Sequence, residues 1–474
     1  MPKVTSVDIA PLDPRRFEEV LTPDQFSAFA AAIDAAKTMF EGRVVWNVNS
    51  TARGGGVAEM LRSLIARARG AGVDARWVVI EGEPEFFRIT KRIHNNLHGA
   101  AGDGGDLGDA ERALYEAALK DNLPELLHLV SPDDVVILHD PQTAGLVGQV
   151  APTGATVVWR CHVGIDLPDD LSRRAWRWLI PYVTDADAFV FSRQDFAWEG
   201  LPENKIEVIP PSIDAFSPKN QDIDESSVRA ILAATGLATG DTSHATYERT
   251  DGSEGRVERT SDLFGTDAPP DDAKLVVQVS RWDALKDPIG VIEGFADHAA
   301  EMEGVHLVIA GPAVDAVSDD PEGAEMLQRS LDAWKGLSPS ARASIHLATL
   351  PMDDGDENAA IVNALQRRAD IVVQKSLAEG FGLTVAEAMW KGRPVVASRI
   401  GGIQDQIVDG ETGVLIDDPR DKDEFGRALA RLLKDPEDAA RMGRDAQRRV
   451  RDHFLGPQHL MRYVDLLGRL LASG

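Results

Sequence analysis

Late in the chain, Glu379 and Glu387 bracket a glycine-rich turn in the stretch EGFGLTVAE, with seven residues between them. Paired carboxylates are the residue type that acid–base chemistry at a glycosidic bond requires. An ionised glutamate can also hold a ligand, because each hydrogen bond it accepts from a sugar hydroxyl is worth about 1.5–3 kcal/mol. The rival explanation is structural. Thr384-Val385-Ala386-Glu387 fits the S/T-x-x-E capping box, in which Thr384 caps a helix and Glu387 reaches back to the cap amide. Glu379 precedes the Gly380-Phe381-Gly382 turn and Leu383, so a cap does not account for it.

Three other stations carry chemistry-bearing residues. In QVSRWDALKDP, Arg281 and Lys286 follow an apolar run. Two cations there can neutralise a diphosphate, each worth about 4 kcal/mol at 4 Å and an effective dielectric near 20 before desolvation. The bland alternative is a solvated loop. In VVWRCHVGID, Arg160, His162 and Asp166 sit at or beyond the end of a strand-like run. A histidine there can donate to a leaving group, bind a hydroxyl, or simply be a hydrogen-bonded core residue. In NVNSTARGGGVAEML, Gly54, Gly55 and Gly56 lead into a helical pattern, whose free N–H groups suit a phosphate or a sugar hydroxyl. Glu59 stands where a dinucleotide fingerprint would need its third glycine. The stretch 185–187 (DAD) precedes a strand and reads as a helix end, and 353–358 (DDGDEN) is too short for a calcium loop and reads as a solvated turn.

The elements that must position these residues alternate. Short β-branched runs at 43–50, 75–82, 134–140, 155–163 and 188–192 form one series; runs at 205–213, 274–280, 306–311, 344–350, 371–376, 393–398 and 413–416 form a second. They are continuously apolar, as parallel strands buried on both faces are, and helical patterns such as 57–72 and 423–435 separate them. The pattern predicts an α/β protein with two Rossmann-like, doubly wound parallel-sheet domains. Pro210, Pro211 and Pro218 place the boundary near 208, giving domains of 1–207 and 208–454, with a helix at 455–474 expected to pack back on the first. The polar, Gly/Ser/Thr/Asp-rich stretch 236–272 reads as a flexible insertion.

Composition narrows the class. With 474 residues and 43% hydrophobic content, the chain has material for two full cores. Its 77 acidic and 50 basic residues give a net charge of −27, which disfavours nucleic acid and anionic membranes. The single cysteine, Cys161, excludes an intramolecular disulfide and a multi-cysteine metal site. No apolar run suits a signal peptide or membrane span, so a cytoplasmic protein is expected.

Taken together, the stations resemble the retaining family 4 glycosyltransferases of GT-B fold, whose E-x7-E matches Glu379 and Glu387 and whose basic pair matches Arg281 and Lys286. The segments NSTARGGGVAEML, WVVIEGEPEFFRITKRIHNNLHG, LHDPQTAGL, WRCHVGIDL and EGFGLTVAEAMWKGRPVVA are similar, more narrowly, to trehalose synthases of the glycosyltransferring type. The resemblance implies two domains facing across a cleft, the first binding the acceptor and the second a nucleoside diphosphate glucose. It implies a reversible transfer of glucose to free glucose, giving α,α-trehalose. Phosphorolysis of trehalose and nucleotide-sugar sensing without catalysis are the alternatives.

By the same resemblance, Glu379 would hold the donor sugar, Glu387 the ribose, and Arg281 and Lys286 the diphosphate. His162 would touch the donor near its anomeric carbon, and Gly55 and Gly56 would approach the phosphates or the acceptor. Gly380, Phe381, Gly382 and Leu383 would complete the donor site. Glu81, Lys91, His94, Asn95, Asp140 and Asp166 would face the acceptor. No cofactor is implied beyond the donor substrate; Mg2+ is compatible but has no protein site assigned. Partners are sugars and nucleotide-sugars, and outer faces of such a fold leave room for a homodimer.

Overall fold

The computed structural model describes residues 3–52, 55–265, 267–314 and 321–473. Gly54 lies outside these described residues. The chain divides into two compact units, Met1–Ser212 with Gly456–Gly474, and Ile213–Leu455.

The first unit holds a seven-stranded sheet: β1 (Val4–Val7), β2 (Val44–Asn49), β3 (Asp74–Ile80), β4 (Val135–His139), β5 (Thr156–Cys161), β6 (Ala188–Phe191) and β7 (Ile206–Val208), in the order β1-β3-β2-β4-β5-β6-β7. Every neighbouring pair is parallel except β1, which runs antiparallel to β3 with Val4 opposite Ile80. Core clusters cover both faces. Trp46, Val48, Leu138 and Trp159 lie in one, and Val45, Trp77, Ile137 and Val158 in the other. That two-sided burial is why these strands read as unbroken apolar runs. The run at 205–213, expected to open the second sheet, instead supplies β7, the last strand of the first. Its N-terminal part pairs with β6, and the prolines then end the strand.

The second unit holds β10 (Asp262–Phe264), β11 (Lys274–Val279), β12 (Val305–Pro312), β13 (Ile345–Leu350), β14 (Ile371–Gln374), β15 (Val395–Ser398) and β16 (Val414–Ile416), in the order β10-β13-β12-β11-β14-β15-β16. β10 is antiparallel to β13 and the remaining pairs are parallel.

The stretch 236–272, expected as a flexible insertion, carries secondary structure among its described residues. It forms a hairpin of β8 (Thr246–Glu248) and β9 (Glu254–Arg256) and then donates β10 to the sheet edge. Polar anchors hold it. Arg249 pairs with Asp354 at 2.9 Å, Thr250 Oγ1 donates to Asp356 at 2.7 Å, and Arg259 pairs with the fully buried Glu357. The stretch 353–358 is therefore no solvated turn: Asp354 caps the helix Gly355–Arg368 through the amides of Asp356 and Glu357.

Each sheet has a switch point, where the chain leaves the first-formed strand on one side and returns on the other. It lies between β2 and β4 in the first sheet and between β11 and β14 in the second. Ligands of open α/β sheets bind beyond the carboxyl ends of strands at such points.

Candidate active site

In the second unit, the loops after β11 and β14 converge at the switch point. Arg281, 63% exposed, pairs with Asp283 at 2.9 Å. An exposed pair of this kind is worth at most about 1 kcal/mol, so the guanidinium is readily released to a ligand. Lys286 closes a short 3-10 turn, Ala284–Lys286, and its Nζ donates to Glu379 Oε2 at 2.5 Å. Ser376 Oγ donates to the same carboxylate oxygen at 3.4 Å. The Leu377 amide bonds the Leu285 carbonyl at 2.7 Å, and Gln278 Nε2 bonds the Lys286 carbonyl at 2.9 Å, so the backbone behind the pair is also fixed.

The residue after Lys286 is unusual. Asp287 has φ +48°, a left-handed conformation that costs most L-residues roughly 1–2 kcal/mol. Its carboxylate caps the helix Pro288–His298 through the Gly290 amide and pairs with the fully buried Lys375. Lys375 Nζ also donates to the Pro419 carbonyl at 2.6 Å. Two lysine–carboxylate pairs of opposite polarity therefore join the same two loops.

The turn carrying Glu379 is packed against the loop after β15. Gly382 takes φ +82°, and Gln406 Nε2 donates to the Phe381 carbonyl at 2.5 Å. Gly401 takes φ +45°, and a side chain there would overlap the Glu379 carbonyl oxygen. The Gly402 amide bonds the Gly380 carbonyl at 2.9 Å, and the Phe381 ring packs 5.7 Å from Phe454.

The capping box is not formed. Gly382, not Thr384, is the cap residue, and the helix runs Leu383–Trp390 with no side-chain cap bond. The left-handed glycine turns the chain straight into the helix, making Thr384 the second helical residue and Glu387 the fifth. Glu387 is buried and its Oε1 lies 3.7 Å from Lys219 Nζ. Lys219 was not foreseen. It comes from the proline-rich segment after β7, which Asn363, Arg367 and Trp390 fasten through the carbonyls of Pro218, Gln221 and Asn220.

In the first unit, His162 follows β5 and Asp140 follows β4. Asp140 Oδ1 accepts the His162 amide at 2.8 Å, and Oδ2 lies 3.0 Å from His162 Nδ1. Arg160 Nε donates to His162 Nε2 at 2.6 Å. An arginine N–H can only donate, so Nε2 is the acceptor and Nδ1 carries the proton that goes to Asp140. Burial first, then the Arg160 charge, lowers the His162 pKa, with Asp140 opposing. The ring is neutral and both nitrogens are engaged, which leaves His162 no ring proton for a leaving group in this arrangement. Burial alone would raise the Asp140 carboxyl, but its interactions with His162, whose amide and ring nitrogen both bond it, outweigh that and hold it below the usual range. Asp140 also has φ +64°. Arg160 is itself held from the C-terminal helix Gly456–Ser473, where the Tyr463 hydroxyl lies 2.8 Å from Nη1, and by the Ile209 carbonyl at 3.0 Å.

His94, on the helix Pro84–Leu97, has its pKa pulled to about 4 by burial, then by His98 and Lys91, while Asp140 opposes. These effects place Lys91, His94 and Asp140 in one electrostatic group, and Asn95 follows His94 on the same helix. Glu81 and Asp166 have other partners. The Glu81 amide bonds the Lys3 carbonyl and Asn122 Oδ1, and Asp166 pairs with Arg193. Gly55, with φ +77°, opens the helix Gly55–Gly70, and both Gly55 and Gly56 are exposed.

Among the described residues, no group of three or more His, Cys, Asp or Glu is placed to hold a metal ion. Nor is any helix among them long and apolar enough to cross a membrane.

Paired doubly wound sheets, with basic and acidic residues at the switch point of the second, define a GT-B glycosyltransferase. Comparison with known proteins agrees. Residues 47–198 match the model of the trehalose synthase N-terminal domain, and residues 262–449 match that of glycosyl transferases group 1. The chain is 36% identical over 436 residues to a trehalose synthase of Rubrobacter xylanophilus, covering 91% of each chain. It is 35% identical over 430 residues to one of Pyrococcus horikoshii, again covering 91% of each. A UDP-forming α,α-trehalose-phosphate synthase structure from Burkholderia vietnamiensis superposes with a TM-score of 0.65 at 15% identity, covering 91% of this chain and 100% of that one. The chain belongs to the trehalose synthase family of glycosyltransferases, and it is a hexosyltransferase.

Proposed function

We propose that the protein transfers glucose, with retention, from a nucleoside diphosphate glucose to free glucose, producing α,α-trehalose in a cytoplasmic setting. The observation that carries this reading is the convergence of Arg281, Lys286 and Glu379 at the β11–β14 switch point. Arg281 and Lys286 hold the diphosphate, and Glu379 accepts hydrogen bonds from the donor glucose. The bond from anomeric carbon to phosphate oxygen breaks, and negative charge grows on the departing β-phosphate. Two cations poised there stabilise that charge, an effect worth several kcal/mol of barrier. The acceptor hydroxyl oxygen bonds the anomeric carbon from the face the phosphate leaves, and its proton passes to the departing diphosphate.

Glu387 serves the ribose, and the neutral His162, fixed by Asp140 and Arg160, serves the donor near its anomeric carbon without giving up a proton. Lys91, His94, Asn95 and Asp140 supply acceptor contacts; Glu81, Asp166, Gly55 and Gly56 stand at strand and helix ends of the same unit.

Purified protein with UDP- or ADP-glucose plus glucose should yield trehalose with its α configuration visible by NMR. Turnover confined to trehalose plus inorganic phosphate would sink the reading in favour of phosphorolysis, and nucleotide-sugar binding without product would favour a sensor.

A further inference from the structure

Lys375 directly follows the fully buried strand β14 and is itself fully buried, and the hydrogen bonds of its ammonium go to none of Arg281, Lys286 and Glu379. Its ammonium is bound by Asp287 and the Pro419 carbonyl. Asp287 is the residue next to Lys286, and it adopts a left-handed turn that favours glycine. With any other rotation at 287, the chain would leave the 3-10 turn Ala284–Lys286 in a different direction and would not start the helix at Pro288. The carboxylate of Asp287 satisfies the helix start with one oxygen and the lysine with the other. The same two loops carry the Lys286–Glu379 pair.

We infer that Lys375 is a positioning residue for Lys286: by pairing with Asp287 it holds the left-handed turn that delivers the Lys286 ammonium to Glu379. The inference rests on Lys286 acting at the donor diphosphate. Lys375 itself is too enclosed to meet substrate, so its effect passes entirely through the backbone of residues 286 and 287. Removing it should affect the donor and leave the acceptor alone, because the acceptor contacts belong to the other unit.

The experiment compares wild type with Lys286→Ala, Lys375→Met and the double variant Asp287→Gly/Lys375→Met. Each is checked for folding by circular dichroism and thermal melting. Steady-state kinetics then give kcat and the KM values for glucose and for whichever of UDP- or ADP-glucose wild type uses. Lys375→Met is expected to lower kcat/KM for the donor at least tenfold, with the glucose KM within twofold of wild type. The double variant, in which glycine takes the left-handed turn without a countercharge, should regain at least threefold over Lys375→Met. Wild-type donor kinetics in folded Lys375→Met, or a double variant no better than Lys375→Met, overturn the positioning role while Lys286→Ala remains impaired. Normal donor kinetics in Lys286→Ala overturn the donor-site reading, and this inference with it. Should Lys375→Met not fold, Asp287→Asn keeps left-handed tolerance and removes the countercharge. A tenfold donor-specific loss there supports the inference, and wild-type kinetics overturn it.

Discussion

Lys286 and Glu379, 93 residues apart in sequence, are joined by an ion pair of 2.5 Å across the switch point of the second sheet. The cation proposed for the diphosphate and the carboxylate proposed for the donor sugar thus neutralise each other. A hydrogen bond between charged groups is worth about 1.5–3 kcal/mol, and under the proposed roles donor binding replaces this contact rather than adding to it. Glu379→Gln should therefore leave Lys286 free. Calorimetry is expected to show UDP or ADP binding unchanged or several-fold tighter, while sugar transfer falls at least tenfold. Loss of nucleotide binding would contradict that role.

Glu387 is buried without a capping function, beside Lys219. Glu387→Ala should cost about 1–3 kcal/mol of stability, as removal of one member of a buried polar contact does. A double-mutant cycle with Lys219→Met, read by urea denaturation, should show coupling between the two. Additive losses would place the lysine elsewhere in solution.

Gly401 and Gly402 form the surface against which the Glu379 turn is cast. Gly401→Ala forces a side chain into the Glu379 carbonyl at φ +45°. It should abolish most activity and lower the melting temperature. A fully active Gly401→Ala protein would show that the turn is not fixed.

The histidine set predicts acid sensitivity. His346 is buried, its Nε2 lying 2.9 Å from His306 Nδ1, and burial, then His306, pulls its pKa to about 4. His139 and His459 are pulled well below the ordinary value by burial first. The unfolded chain binds these protons near pH 6.5, the native chain only at lower pH. Stability is thus fully present above pH 6.5 and is lost as pH falls toward 4, by about 1.4 kcal/mol per unit for each such histidine. The lowered Asp140 carboxyl acts in the same direction only below its ordinary value of 3.8. The urea midpoint should already drop between pH 6.5 and 5, and His346→Gln should flatten that slope. An unchanged midpoint down to pH 5 would count against the prediction.

The proton on His162 can be observed directly. Nitrogen-15 chemical shifts should report Nδ1–H, with the ring neutral at pH 7. Tyr463→Phe removes one hydrogen bond to Arg160, at a cost of about 1 kcal/mol, and should leave that tautomer in place. Arg160→Met should release it.

The parallel strands were legible because burial on both faces writes them as apolar runs, and Gly380-Phe381-Gly382 announced the turn after β14. What escaped was decided at a distance or over very few residues. β8, β9 and β10 are three residues each and mostly polar, so no periodicity betrays them. Thr384-x-x-Glu387 matched a capping box, but φ at Gly382 moved the helix start, and one dihedral is invisible in a pattern. Lys375 and Asp287 meet across 88 residues, and no local signal in either stretch marks the partnership.

The C-terminal helix Gly456–Ser473 belongs to the same unit as the first 212 residues. During synthesis, the whole of Ile213–Leu455 therefore leaves the ribosome before the first unit receives its last helix and the Tyr463 that holds Arg160. The unit begun first is finished last, and a nascent chain halted before residue 456 would carry a complete second unit beside a first one still open at that face.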